Sequence, residues 1–199
     1  EFRDDAGGTP GFDADRPGVV VLSLLPEILG RPLRHARDGQ DMGEAAARWS
    51  EACSKALRGP GVTGVILCNA FRHVPGEVRH RYFDQPESFG ERIRRFNRMA
   101  AEVSRETGAC VADLDRALAH VGGRALETDY RLGGDRATAL GACELVAAVL
   151  WAGLDEVVSP DVQEEARVAL EARRRAITQS LPVASDASGA DFRPYLLSR

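Results

Sequence analysis

The chain has 199 residues, of which 44% are hydrophobic, and a formal net charge of −4. That size and composition suit one α/β domain with a real core and some additional chain, while the mild acidic excess argues against a nucleic-acid partner, which would require a basic face. No run approaches the roughly 18 apolar residues that span a membrane, and no basic segment followed by an apolar one opens the sequence, so we expect neither a membrane partner nor a signal peptide.

Three short apolar runs predict the strands of a parallel sheet. They cover residues 19–22 within the segment PGVVVLSLLPE, residues 62–67, and, more weakly, residues 109–111. Runs this short and β-branched, bounded by Pro and Gly, favour strands covered on both faces. With helical segments between them, they predict an α/β fold of three layers, in which a parallel sheet carries helices on both faces.

Four segments have apolar residues at helical spacing. They are residues 43–57, 88–106, 136–152 and 160–180. In the second, Ser88 and Glu91 have the spacing of a capping box. Its arginines, Arg92 among them, are expected to form a solvated face, and the alternative is that they bind an anion. The segments 29–42 and 71–87 between these elements are polar and are expected to be loops, whose length is typical of functional segments.

The predicted domain covers residues 17–157. Residues 1–16 are expected to form a loop or a frayed end, residues 158–181 an additional helix, and residues 182–199 a tail. The additional helix has a thin apolar stripe, so it must dock on something to be stable. Either it lies across its own domain or it pairs with the same helix of a second chain, and we expect a homodimer.

The four cysteines, Cys53, Cys68, Cys110 and Cys143, lie in apolar patterns and no pair has CxxC spacing. We therefore expect buried free thiols in a cytoplasmic protein. The four histidines lack partners at metal-ligand spacing. The sequence accordingly predicts no metal site and no cofactor.

Polar side chains follow each predicted strand. They are Ser23 and Glu27 after the first strand, Asn69 and His73 after the second, and Asp113 and Asp115 after the third. Ligands of open α/β sheets bind beyond the carboxyl ends of the strands, so these residues are candidates for binding or catalysis. Asn69 could donate to an oxyanion, and His73 or His80 could act as a general base. The alternative is that such residues only cap strands and begin loops.

The loop after the first strand is basic and contains Arg34, His35 and Arg37. Arginines suit the recognition of carboxylate or phosphate groups. If these side chains converge on the crevice, the ligand is anionic or carries an anionic handle, such as a carrier phosphopantetheine. The alternative is a solvated basic loop.

The order of elements and three phrases of the sequence resemble the SGNH (GDSL-type) hydrolases. PGVVVLSLLPE is similar to the strand before the family's Gly-x-Asn-Asp block. The phrase from Ser88 to Leu118 is similar to the family's helix and following strand, with Asn97 and Asp113 at familiar places. LETDYRLGGDRATALGACELVAAVL is similar to its closing segment, in which an Asp-x-x-His pair precedes a terminal helix. The resemblance covers about residues 17–154 and implies an SGNH- or flavodoxin-like fold.

The catalytic motifs of that family are incomplete here. No Gly-Asp-Ser nucleophile segment is present, and Leu25-Pro26-Glu27-Ile28 stands where the oxyanion-hole block is expected. Leu132 stands where the histidine is expected if Asp129 is the acid, and an alignment on Gly141 instead puts Gly133 and Arg136 at the Asp and His positions. The resemblance still gives Asp129 the acidic role, beside Arg131 as a binding residue. The alternative for that pair is a local ion pair that fixes the loop.

Two classes of function remain open. The first is an acyl-ester hydrolase or acyltransferase acting on a small, anionic or carrier-linked metabolite, with His73, Asn69 and Asp129 as catalytic residues. The second is a catalytically degenerate domain that has kept the fold and binds a ligand or a partner. A Gly-Asp-Ser segment upstream of Glu1 in the complete reading frame would favour the first class.

Overall fold

The computed structural model describes residues 18–30, 38–75, 86–152 and 158–181. In these ranges the strands are β1 (Gly18–Ser23), β2 (Val62–Cys68) and β3 (Cys110–Ala112). The helices are α1 (Leu25–Gly30), α2 (Asp38–Leu57), α3 (Pro86–Thr107), α4 (Leu114–Val121), α5 (Gly123–Leu126), α6 (Asp135–Trp151) and α7 (Pro160–Gln179).

The three strands form one parallel sheet in the order β1-β2-β3. Leu22 of β1 is in register with Leu67 of β2, and Leu67 is in register with Val111 of β3. The predicted strands and their parallel arrangement are confirmed. Because the strands are parallel, their carboxyl ends lie at one edge of the sheet, where a ligand site is expected.

Alternate residues of β2 pack against different helical layers. Val65 and Leu67 join a core that includes Trp49 of α2 and Phe96 of α3. Ile66 and its neighbour Cys68 instead pack with Ala148 of α6. Since successive side chains of a strand point to opposite faces, the sheet has helices on both sides, and the predicted three-layer α/β architecture is confirmed.

The helix boundaries differ from the predicted ones at α1, α2 and α3. Helix α2 begins at Asp38, inside the segment 29–42 that was predicted to be a loop. Residues 25–30 form the short helix α1, where the sequence had suggested a strand end and the beginning of a loop. Helix α3 begins at Pro86, ahead of the capping box assigned to Ser88. Proline is favoured in the first turn of a helix because its missing N–H has no intrahelical partner there.

The prediction that Arg92 belongs to a solvated face is wrong, because this side chain is 1% exposed. Its Nε donates to the carbonyl oxygen of Ile28 at 2.7 Å and its Nη2 to that of Glu27 at 3.2 Å. The guanidinium lies 5.3 Å from the centre of the Phe96 ring. Arg92 thus satisfies carbonyl groups in α1 that no helical N–H can reach, and it joins α1 to α3.

Helix α7 lies across its own domain and packs on α6. Gln163 and Ile177 are its buried residues, and Arg174 bonds to Glu144 of α6 at 2.5 Å. This is the first of the two arrangements considered for the helix. Val162 and Val168 stay 52% and 62% exposed on its outer surface, and the homodimer stays a prediction.

Across the described ranges, every helix is too short or too polar to cross a bilayer. The four cysteines are free, as predicted, but Cys110 is only half-buried. Burial raises the pKa of the Cys53 and Cys68 thiols, which keeps them protonated and unreactive at neutral pH.

Candidate functional site

A pocket of about 560 Å³ lies beside the segment that follows β2. This segment supplies His73 and Pro75, and α5 supplies Gly123. The loop between α5 and α6 supplies Glu127, Thr128, Asp129, Arg131 and Gly133. The pocket therefore brings together His73, Asp129 and Arg131, three residues that the sequence had indicated separately.

The α5–α6 loop is fixed to the segment after β2 and to the core. Tyr130 N–H donates to the carbonyl oxygen of His73 at 3.0 Å. The Tyr130 ring is buried and meets Phe89 of α3 edge-on, with ring centres 4.8 Å apart. An anchored aromatic ring between Asp129 and Arg131 gives both side chains a defined position at the pocket.

Two residues of this loop have backbone angles that side chains rarely adopt. Glu127 has φ of 50° and Leu132 has φ of 56°, both in the left-handed region. Each such non-glycine residue costs on the order of 1–3 kcal/mol and persists only where its surroundings enforce it. The two positions bracket Asp129, so the strain is concentrated in the loop that places Asp129 at the pocket.

Asp129 and Arg131 form a close ion pair. Arg131 Nε lies 3.0 Å from each carboxylate oxygen of Asp129, and Arg131 Nη2 also donates to Oδ2. The backbone N–H of Arg131 adds a further bond to Oδ1 at 2.8 Å. These bonds, together with the positive charge of Arg131, hold the pKa of Asp129 below its ordinary value.

His73 is exposed to solvent, and its ring is held from two sides. The Phe71 ring centre lies 5.9 Å away. On the other side, a Cβ placed on Gly123 would come within 2.9 Å of the His73 ring, closer than real contacts allow. Gly123 therefore permits an approach of ring to backbone that any other residue would block. An accessible imidazole that lines the same pocket as a carboxylate is suited to general acid–base chemistry.

Asn69 lies outside this pocket, where its side chain joins the ends of β2 and β3. Its Nδ2 donates to Asp113 Oδ1 at 2.7 Å, and its Oδ1 accepts from Asp115 N–H at 3.1 Å. Asp115 in turn accepts from Arg72 N–H at 3.0 Å. Both ends of the amide thus stabilise the junction between strand β3 and helix α4, and the oxyanion role assigned to Asn69 stays a prediction.

Ser23 and Glu27 lie beyond β1 and do not line the pocket. The Ser23 hydroxyl accepts from Leu25 N–H at 3.3 Å, at the beginning of α1. Glu27 lies 3.2 Å from Arg48 of α2. Arg34, His35, Arg37 and His80 fall outside the described residues.

Comparison with known proteins adds no assignment. No protein-family model, no curated protein and no solved structure matches the chain. Among the described residues, no group of three or more His, Cys, Asp or Glu side chains is arranged to hold a metal ion.

The sequence interpretation missed Gly123, Glu127 and Thr128 as parts of the site. In the sequence, Gly122 and Gly123 indicated only a connection between two helical segments. Thr128 donates its hydroxyl to the carbonyl oxygen of Gly133 at 2.8 Å and closes the loop. Gly123 is therefore the residue whose identity in the sequence could have indicated a close approach at this site.

Proposed function

We propose that this chain is an SGNH-hydrolase-like domain that acts on a small acyl ester with an anionic handle, as a hydrolase or an acyltransferase. The observation that carries the proposal is the convergence of His73, Asp129 and Arg131 on one pocket. The pocket volume of about 560 Å³ lies within the range typical of small-molecule sites.

In the proposed reaction, His73 removes a proton from a water molecule, or from an acceptor hydroxyl, as its oxygen attacks the acyl carbonyl. The resulting imidazolium gives the proton to the departing alkoxide, so that hydrolysis yields an acid and an alcohol. The negative charge of Asp129 stabilises the imidazolium. The Arg131 side chain, 60% exposed, directs its remaining donors towards the anionic handle.

A second candidate function is ligand binding without catalysis. It is favoured by the Asp129 carboxylate, both of whose oxygens accept bonds from Arg131 instead of orienting the imidazole. It is also favoured by the lining residues that the structure describes, which include no Ser or Cys. In this function the same pocket holds an anionic metabolite and Asp129 only positions Arg131.

The two functions are separated by turnover of short p-nitrophenyl esters. The hydrolase proposal predicts that His73→Gln lowers kcat/KM by roughly 100-fold, the usual size of a general-base contribution. His120→Gln is the matched control, since His120 is also exposed but lies outside the pocket. Equal loss in both variants, or no turnover by the parent protein, would leave the binding function.

The remaining proposals concern location and partners. We infer a cytoplasmic protein with a small-molecule ligand, carrier-linked or free, and with neither a nucleic-acid nor a membrane partner. Free, largely buried thiols are consistent with a reducing compartment. The homodimer belongs to the same set of proposals.

A further inference from the structure

A second depression, which we call the α4–α6–α7 groove, shares no lining residue with the pocket at His73. Its volume is about 1010 Å³. One face of α6 follows it from Leu140 through Ala147 and Ala148 to Trp151. At 1.5 Å per residue this stretch is about 16 Å long, so the groove is elongated.

The side chains of α6 and the strand β3 in the groove leave room for a polypeptide backbone to approach closely. Ala147 and Ala148 have short side chains that allow close approach. Cys110 and Val111 of β3 also line the groove, and in the described sheet β3 pairs only with β2. About five residues of extended chain, at roughly 3.3 Å each, match the 16 Å length.

Both rims of the groove carry basic side chains. Arg116 and His120 lie on α4, and Arg175 lies on α7. Among the described residues, neither Arg116 nor Arg175 has a carboxylate at ion-pair distance. The carboxylates in the groove are already engaged, since Glu144 and Glu171 both bond to Arg174.

The carboxylate of Asp113 accepts bonds from Asn69 and from Arg116 N–H. In the part of the chain that the structure describes, Arg116 on α4 and Arg175 on α7 are therefore the guanidinium groups of the groove that have no carboxylate partner.

Trp151 lies at the end of the groove and is 83% exposed. Trp and Arg are the residues that contribute most at protein interfaces, where they surround a buried anchor of the partner. We propose that the α4–α6–α7 groove binds an acidic, extended segment of a partner protein that places an apolar side chain against Trp151. This surface is independent of the pocket at His73 and of the function proposed for it.

The test uses the fluorescence of Trp151. The chain has two tryptophans, and Trp49 is 6% exposed, so quenching by acrylamide reports mainly on Trp151. The probe is a peptide of about six residues with alternating Glu and Leu, long enough to cover the groove. We expect it to shield Trp151 from acrylamide and to bind more weakly at about 0.3 M than at about 0.05 M salt.

The specificity of the rims is tested with paired variants. An Arg116→Ala, Arg175→Ala double variant should bind the peptide roughly tenfold more weakly, the loss expected for two charge contacts at a rim. An Arg58→Ala, Arg105→Ala double variant makes the same change of net charge at exposed sites outside the groove and should bind like the parent.

Three results would overturn the proposal. Equal affinity of the two double variants would place the peptide elsewhere. A peptide with Lys in place of Glu that binds equally well would remove the charge argument. Shielding of Trp151 that rises with protein concentration and not with peptide would assign the groove to a second copy of the chain.

Discussion

Arg131 Nε donates to both carboxylate oxygens of Asp129. These bonds lower the pKa of Asp129, so its carboxyl group stays ionised at pH values where a free aspartate begins to protonate. The lowered pKa of Asp129 makes the stability of the fold depend on pH. A carboxylate whose pKa is lower in the folded than in the unfolded state stabilises the folded state at pH values above its unfolded pKa. That stabilisation is lost as the pH falls through the folded-state pKa.

The first prediction concerns Arg131→Gln. The variant should be less stable than the parent at neutral pH, and the difference should shrink below about pH 4, where Asp129 is protonated in the unfolded chain. The pKa of Asp129 should rise in the variant. Urea denaturation over a pH series and a carboxyl ¹³C titration measure both effects. The control is Arg94→Gln, which removes an exposed pair with Glu91. A loss of unfolding free energy in Arg131→Gln that is the same at every pH would contradict the prediction.

The second prediction concerns Gly123→Ala. The new Cβ would lie 2.9 Å from His73 ring atoms and 3.2 Å from the carbonyl oxygen of Thr128, so the ring must move away. We expect a destabilisation of about 1–3 kcal/mol, shifted His73 resonances in NMR spectra, and reduced ester turnover if the hydrolase proposal holds.

Gly133→Ala is the matched control for this substitution. It lies in the same pocket, and its Cβ would meet nothing within 4 Å. His73 resonances that shift equally in both variants would show that the contact with Gly123 does not position the imidazole.

The third prediction concerns Arg92→Met. The substitution keeps a long side chain but leaves the carbonyl groups of Glu27 and Ile28 without their charged donor. Unpaired buried acceptors cost about 1–3 kcal/mol each, so we expect a loss of roughly 2–5 kcal/mol in urea denaturation. Arg94→Met, on an exposed position of the same helix, should change stability by less than about 0.5 kcal/mol. A similar small change in Arg92→Met would mean that water replaces the guanidinium.

The fourth prediction separates the structural from the catalytic role of Asn69. Asn69→Ala should cost about 1–3 kcal/mol, because the Asp115 N–H loses its acceptor. Combined with Asp113→Ala, the cost should be less than additive, since both changes remove the same bond. Loss of ester turnover with unchanged stability would instead support the oxyanion role.

The fifth prediction concerns the homodimer. Val162→Asp with Val168→Asp places charges on the exposed outer surface of α7. If that surface forms the contact, light scattering should show a halved mass in the variant, with unchanged thermal stability of the monomer. Val146→Asp, at an exposed position of α6, is the control. A parent protein that is monomeric at high concentration would exclude the dimer.

The long helices could be predicted because their apolar residues recur at helical spacing, and the strands because each contains a short apolar run. The burial of Arg92 could not be predicted. An arginine on an amphipathic helix is expected to be exposed, and its carbonyl partners on α1 are known only from the structure. The presence of His73 and Asp129 in one pocket could not be predicted either. It depends on the bond from Tyr130 N–H to the carbonyl oxygen of His73, which joins segments that no local pattern connects.

The parallel pairing of the sheet also sets how the chain can fold. Residues paired between β1 and β2, and between β2 and β3, are about 45 positions apart in the sequence, so no hairpin can begin the sheet. Each pairing must close a long loop before it gains any contact, and ordering such loops slows folding. Helices α2 and α3 share one core with residues of all three strands, and we expect their packing to hold the strands near one another until the sheet assembles.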